Sequence, residues 1–338
     1  MKKLIVKVGL FFLPVSILFI EIMLPKNQFT YRPWEALLFY HPKKIAYPYY
    51  PNQNLAMHSV GDLGYRTKNE IPRYENWHTD KLGYRNDSFI TSPDVLIIGD
   101  SYIVGTGLPQ DSTLSNTLHS ISGLQVYNMA SAMFKDFVDL LSNEIIQKPK
   151  FLIYSIIEQN LPQTIPTTRR KFETVKWGDV FKDRLSRFYM VNYFGARWTG
   201  SCGRGFPGVT DSSLLFLSGK NIKYHHDDLP QVAKTIEQYQ HFCDSIGVHF
   251  IFLPIPNKET IYYKQVPLES QPDYITRLND LLATKKIATI QTQQLFNSYV
   301  SAHAPQQYIY QKDDSHWNAT GIKLTAEAIN SLLQSYKY

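Results

Sequence analysis

Cysteine is almost absent: Cys202 and Cys243 are the two in 338 residues. A disulfide framework is therefore excluded, and whether these two pair is left open by the sequence. No Cys/His grouping has zinc spacing, and the tandem His225-His226 reads as a solvated loop rather than a ligand pair. The expectation is no metal and no organic cofactor. A Gly-Lys-Ser/Thr phosphate loop is missing, and Gly105-Thr106-Gly107-Leu108-Pro109-Gln110 lacks the third glycine of a dinucleotide-binding turn. Charge of one sign is missing too. A formal net charge of +6 is mild, and no nucleic-acid module stands out. Internal repeats are absent. What remains, 43% hydrophobic and 19% charged residues, is the composition of a globular chain able to bury a full core.

The N-terminus has a direction. Lys2, Lys3 and Lys7 precede an apolar run from Gly9 to Ile20, and Glu21 comes next. A positive flank and then an apolar run is the pattern of a signal peptide or signal anchor. The next residues, Ile22-Met23-Leu24-Pro25-Lys26, are bulky and offer no small-residue cleavage site. Residues 1–25 are therefore expected to be an uncleaved membrane anchor with Glu21 at the far interface and the remainder outside the cytoplasm. The rival, a buried core helix, is opposed by lysines on one side only. Aromatic residues are many (23 Tyr, 19 Phe, 5 Trp), and carbohydrate contact and packing of long loops both account for them.

Residues 26–92, frequent in Pro, Tyr and Asn, read as an extended, short-stranded connector packing on the domain formed by residues 93–338. From Pro93 onward apolar strands alternate with amphipathic helices. Strands are expected at Val95–Ile98, Leu124–Tyr127, Phe151–Ile157, Val248–Leu253 and Ile287–Ile290. Helices are expected at Thr113–Ser122, Phe134–Gln147, Leu229–Ile246, Tyr274–Thr284 and Asn318–Gln334, the last capped near Asn318 or Thr320. Residues 161–229 show no sustained period and read as a loop-rich functional insert. The fold class is α/β: a three-layer α/β/α sandwich with a mainly parallel sheet over 93–338, plus an N-terminal transmembrane helix.

Two short blocks carry chemistry. Val95–Ile98 ends on Gly99-Asp100-Ser101, which sets a serine at the carboxyl edge of the sheet, where open α/β folds bind ligands. There it can expose its Oγ and offer its own N–H to an oxyanion. Far downstream, Asp313-Asp314-Ser315-His316-Trp317-Asn318 supplies a histidine beside acids. A carboxylate on one imidazole nitrogen leaves the other free to deprotonate a serine. Asp314 and Asp313 compete for that place. Each block also has a plain reading, as a tight turn and as acids favouring a helix N-terminus.

Together the blocks resemble the SGNH (GDSL-type) hydrolase superfamily. Gly99-Asp100-Ser101 matches its first block and Asp314-Ser315-His316 its last, in order. Asp314-Ser315-His316-Trp317 is similar to the Asp-x-His-Trp signature of the membrane-anchored alginate O-acetyltransferase branch. Thr79-Asp80-Lys81-Leu82-Gly83-Tyr84-Arg85-Asn86 looks like the stretch preceding its catalytic domain. The resemblance implies a flavodoxin-like sheet and a triad of Ser101, His316 and Asp314. An acyl-serine would be discharged to water or to a sugar hydroxyl of a polysaccharide. It also implies oxyanion donors at Ser101 and Asn160, and at Met133, where the family's glycine would stand; Glu158 is the residue that the acetyltransferase branch aligns at the third block. Arg169, Arg170, Trp177 and Trp198 of the insert are candidates for acceptor binding. A periplasmic or extracellular location is expected, with a multi-spanning membrane acyltransferase as donor. The alternative from another class is a catalytically inactive glycan-binding or assembly subunit of the same fold.

Overall fold

A computed structural model describes residues 1–40, 45–160, 162–165, 168–217, 228–303 and 307–336. His225-His226 lies outside them. Every residue of β3 (Val95–Gly99) is buried, as a run without polar alternation requires in a sheet covered on both faces. It is flanked in parallel by β4 (Val126–Ala130) and β5 (Phe151–Ile157), with Val95 opposite both Val126 and Phe151. Beyond β5 lies β8 (His249–Ile255), also parallel, so the order is β4-β3-β5-β8. Renumbered within the sheet, this is the start of the flavodoxin-like order, with the nucleophile strand at the switch point.

Pleating divides the core. Val95 and Ile97 face α4 (Leu114–Ser122) and α12 (Ala319–Ser335), meeting Leu118, Ile322 and Ile329. Leu96 and Ile98 face α5 (Phe134–Ser142), α8 (Leu229–Ser245) and α10 (Tyr274–Thr284), meeting Phe137, Ile236 and Leu278. Truncating a central side chain such as Ile97 to alanine therefore costs about 2–5 kcal/mol. The caps follow local chemistry. Thr113 Oγ1 accepts from the Asn116 N–H, and Asn318 Oδ1 accepts from Thr320 and Gly321 at 2.9 and 3.1 Å.

One expected strand is corrected, and the insert and connector gain detail. Ile287–Ile290 is no strand: only Thr289 bridges to Phe252, at the sheet's far edge. A helix, α11 (Thr292–His303), comes next instead. The insert holds two ten-residue helices, α6 (Trp177–Ser186) and α7 (Tyr189–Trp198), and a two-residue pairing of β6 (Phe206–Pro207) with β7 (Leu215–Phe216). The connector contains the short α2 (Pro33–Leu37) and an antiparallel pair, β1 (Asn54–Ser59) and β2 (Arg73–His78). Cys202 is exposed and Cys243 buried, and both are free. The N-terminal α1 (Lys2–Met23) is long and apolar enough over Val6–Met23 to be a membrane anchor or a signal sequence, and nearly all of that stretch is uncovered.

Candidate active site

The nucleophile candidate is placed by its neighbours. Gly99 is required because a Cβ there would lie 2.4 Å from Ile103 Cγ1 and 3.2 Å from Ser155 Cβ. Asp100 caps α3 (Ser101–Val104): its Oδ1 accepts the Tyr102 N–H at 3.0 Å, and its Oδ2 accepts the Ile157 N–H at 3.3 Å. The middle residue of Gly99-Asp100-Ser101 thus ties the end of β3 to that of β5, and burial pushes its carboxyl up. Gly105, at φ +81°, closes the turn of helix in a conformation that suits glycine. Ser101 is left exposed at the first helical position.

The C-terminal block meets it directly. His316 Nε2 lies 2.7 Å from Ser101 Oγ, and His316 Nδ1 lies 2.6 Å from Asp314 Oδ1. Both members of the pair are buried. Asp314 also accepts the His316 backbone N–H at 2.9 Å and the Asp62 N–H at 3.0 Å. Burial would raise its carboxyl, but the imidazole, those hydrogen bonds and Arg73 hold it well below the usual carboxylate range. For His316, burial disfavours the cation. Asp314 outweighs it and raises the imidazole above its ordinary value. Asp313 does something else. It accepts from the Gly61 and Ile71 N–H groups at 2.9 and 3.0 Å and pairs with Arg73, so it holds the connector and does not reach the imidazole.

Other residues complete this loop. The three N–H groups of Lys258, fully buried in the short α9 (Lys258–Ile261), are shared among four backbone carbonyls: Leu215 and Gln311 at 2.6 Å, Asp314 at 3.0 Å and Lys312 at 3.1 Å. Burial lowers its ammonium to about 8. Asp62 accepts from the Ser315 N–H and hydroxyl, each at 3.2 Å, and burial beside Asp314 raises its carboxyl. Tyr102 donates its hydroxyl to Ser315 O at 2.8 Å, its ring 4.7 Å from that of His316. None of these came from sequence. For Lys258 a signal existed: a lysine three residues beyond the end of the apolar strand β8.

A cavity of about 570 Å³ opens beside Gly99 and Asp100 at the carboxyl ends of β3, β4 and β5. Asn160 is exposed on its wall, with Lys135, Gln163 and Arg170. Ser155 Oγ, on the same wall, is buried without a partner. Met133 lines the cavity as well, but its N–H donates to Asp136 Oδ2 at 2.7 Å, so the oxyanion donor expected there is already engaged. The Ser101 N–H has no acceptor among the described residues. Glu158 turns away, accepting from the Asn257 N–H at 2.9 Å and Thr260 Oγ1 at 2.6 Å; burial pushes it up to about 7. Arg170 is held by Asp139 at 2.7 Å and by Asp136. Arg169, Trp177 and Trp198 do not line the cavity, and the two tryptophans stand exposed at the outer ends of α6 and α7. Among the described residues no group of His, Cys, Asp and Glu side chains is arranged to hold a metal ion.

Residues 215–337 match the family described as SGNH hydrolase-like domain, acetyltransferase AlgX. That stretch includes Asp314 and His316. A search of the curated proteins gives no match. Among solved structures, the chain is similar to a member of the lipolytic protein G-D-S-L family from Veillonella parvula, at 11% identity and a TM-score of 0.37 over 71% of this chain and 97% of that one. A lipase/acylhydrolase from Enterococcus faecalis gives 10% identity and a TM-score of 0.39 over 73% and 97%. A catalytic mutant of the acetylxylan esterase Axe2 from Geobacillus stearothermophilus gives 14% and 0.35 over 71% and 94%.

Proposed function

With an SGNH-type α/β fold whose C-terminal part matches the AlgX acetyltransferase family, we propose that this chain transfers or hydrolyses O-acyl groups, acetyl above all, on an extracytoplasmic polysaccharide. The observation that carries the proposal is the continuous Ser101–His316–Asp314 relay, at 2.7 and 2.6 Å. Ser101 Oγ attacks the ester carbonyl while His316 Nε2 takes its proton, and Asp314 holds the imidazole tautomer and stabilises the cation. The Ser101 N–H donates to the oxyanion, and the Asn160 amide stands on the adjoining cavity wall. Collapse of the tetrahedral intermediate breaks the ester C–O bond, and His316 returns the proton to the leaving alcohol. Water or a sugar hydroxyl, deprotonated by the same histidine, then attacks the acyl-serine.

Esterase and transferase differ only in that second nucleophile. The family match and the N-terminal helix favour transferase and a site outside the cytoplasm. A donor made in the cytoplasm would then arrive through a multi-spanning membrane acyltransferase. Lys135, Asn160 and Gln163 on the cavity wall could hydrogen-bond a hydroxyl-rich acceptor. The test is turnover of a chromogenic acetyl ester by the detergent-solubilised chain, with and without oligosaccharides, beside Ser101→Ala. Acyl-serine by mass spectrometry and acetylated sugar, both only with the native serine, are expected. Equal rates for the two proteins would leave the inactive-subunit reading standing.

A further inference from the structure

From Val6 to Phe19 the described apolar surface of α1 is open except at the half-buried Ile17, and its last turns contact α6 and α7. Three polar contacts clamp that junction. Glu21 Oε1 accepts the Val191 N–H, in the first turn of α7, at 3.1 Å. Arg184 donates to Ile22 O, and the Lys26 ammonium reaches Asp183 at 3.1 Å. The acidic residue that ends the apolar run is therefore buried against α7 instead of facing lipid. The level of α6 and α7 is thereby set where α1 ends.

On these two helices a row of large apolar side chains faces outward. Trp177 and Phe181, one turn apart and stacked at 5.9 Å, are 80% and 37% exposed. Along α7, Val191, Phe194 and Trp198 recur at helical spacing, 47%, 57% and 93% exposed. The opposite side of α7 is occupied: Tyr189, Asn192, Tyr193 and Ala196 line a cavity shared with the connector. The outward row is thus surplus to the core, and patches of this kind mark interaction surfaces. Its composition and its place on helices that contact α1 select the occupant. Tryptophan and phenylalanine beside the exposed Lys176 and Lys182 make up an interfacial belt. The same two helices are in contact with α1, whose stretch Val6–Met23 is nearly all uncovered.

We propose that the outer face of α6 and α7 lies in the headgroup region of an anionic lipid bilayer, docking the catalytic domain against the membrane that α1 enters. This rests on α1 as an anchor and is independent of the chemistry at Ser101. The full chain is reconstituted in nanodiscs of phosphatidylcholine and phosphatidylglycerol, plain or with lipids brominated near the headgroup, and tryptophan emission is recorded. Trp77 and Trp317 are fully buried and Trp34 half-buried, so bromine reaches chiefly Trp177 and Trp198. Emission should fall in brominated discs, and a Trp177→Phe/Trp198→Phe variant should lose at least half of that fall. A protein partner on this face, or open solvent, leaves emission equal in both discs. That result, or a fall of unchanged size in the variant, overturns the proposal. Ser101→Ala protein quenches like the native chain, so a failure of the acyl chemistry is read separately.

Discussion

Replacing Asp314 by asparagine separates the two adjacent acids. Asp314 receives three N–H groups: His316 backbone and Nδ1 on one oxygen, and Asp62 on the other. An asparagine has one acceptor oxygen, so one side must present an NH2 to a donor. Turned towards His316, the NH2 forces the proton onto Nε2, and the imidazole can no longer take one from Ser101. Turned the other way, it opposes the Asp62 N–H, leaving a buried donor unmade at about 1–3 kcal/mol. In either orientation the charge that stabilises the imidazolium is gone. Loss of the correct tautomer and charge costs about 10⁴ in turnover, or about 5 kcal/mol. Asp313→Asn instead weakens the clasp on Gly61, Ile71 and Arg73. It should cost about 3 kcal/mol of stability and less than about tenfold in kcat/KM. The assay is acetyl-ester hydrolysis against pH. Because Asp314 raises His316 above its ordinary 6.5, the acid limb of kcat/KM lies above that value in the native chain and moves down in Asp314→Asn. An Asp314→Asn protein within tenfold of native, or less impaired than Asp313→Asn, refutes the reasoning.

Lys258→Met removes the donor of four carbonyls beneath the same loop and should lower stability by about 3–5 kcal/mol. A urea midpoint equal to that of the native chain would show that the ammonium holds nothing. Glu158, with its carboxyl raised by burial from 4.5 to about 7, makes stability depend on pH. Between these values the folded state keeps a proton that the unfolded state has released. Stability from this group is complete below pH 4.5 and is lost as pH rises through 7, by up to about 3 kcal/mol. Denaturant melts at pH 5 and pH 8 should differ less for Glu158→Gln than for the native chain, and equal differences would sink the assignment.

The sheet could be read because β3 is an unbroken apolar run and β5 one interrupted by Ser155 alone, and the last helix because Asn318 caps it. Ile287–Ile290 misled for a physical reason: four apolar residues make a strand only where a neighbour offers a full ladder, and β8 pairs with Thr289 alone. Helices α6 and α7 were hidden because much of their apolar surface faces outward, so the usual core periodicity is missing. At the site, Ser101, His316 and Asp314 act through side chains in compact blocks, which sequence displays. Asp62, Lys258 and the engaged Met133 N–H work largely through backbone groups, which it does not. Asp136, three residues after Met133 at the opening of α5, is the acid spacing that would have exposed that last one.

The clasp between Asp313, Gly61 and Arg73 joins residues 252 and 240 positions apart. During synthesis the serine is therefore made long before its base, and the connector waits for the loop that will brace it. A chain interrupted between residues 101 and 316 has a nucleophile with no proton acceptor. Contacts of such high sequence separation form late. On the proposed function, competence for acyl chemistry thus arrives as a single closing event, when the far end of the chain docks on the segment that follows α1.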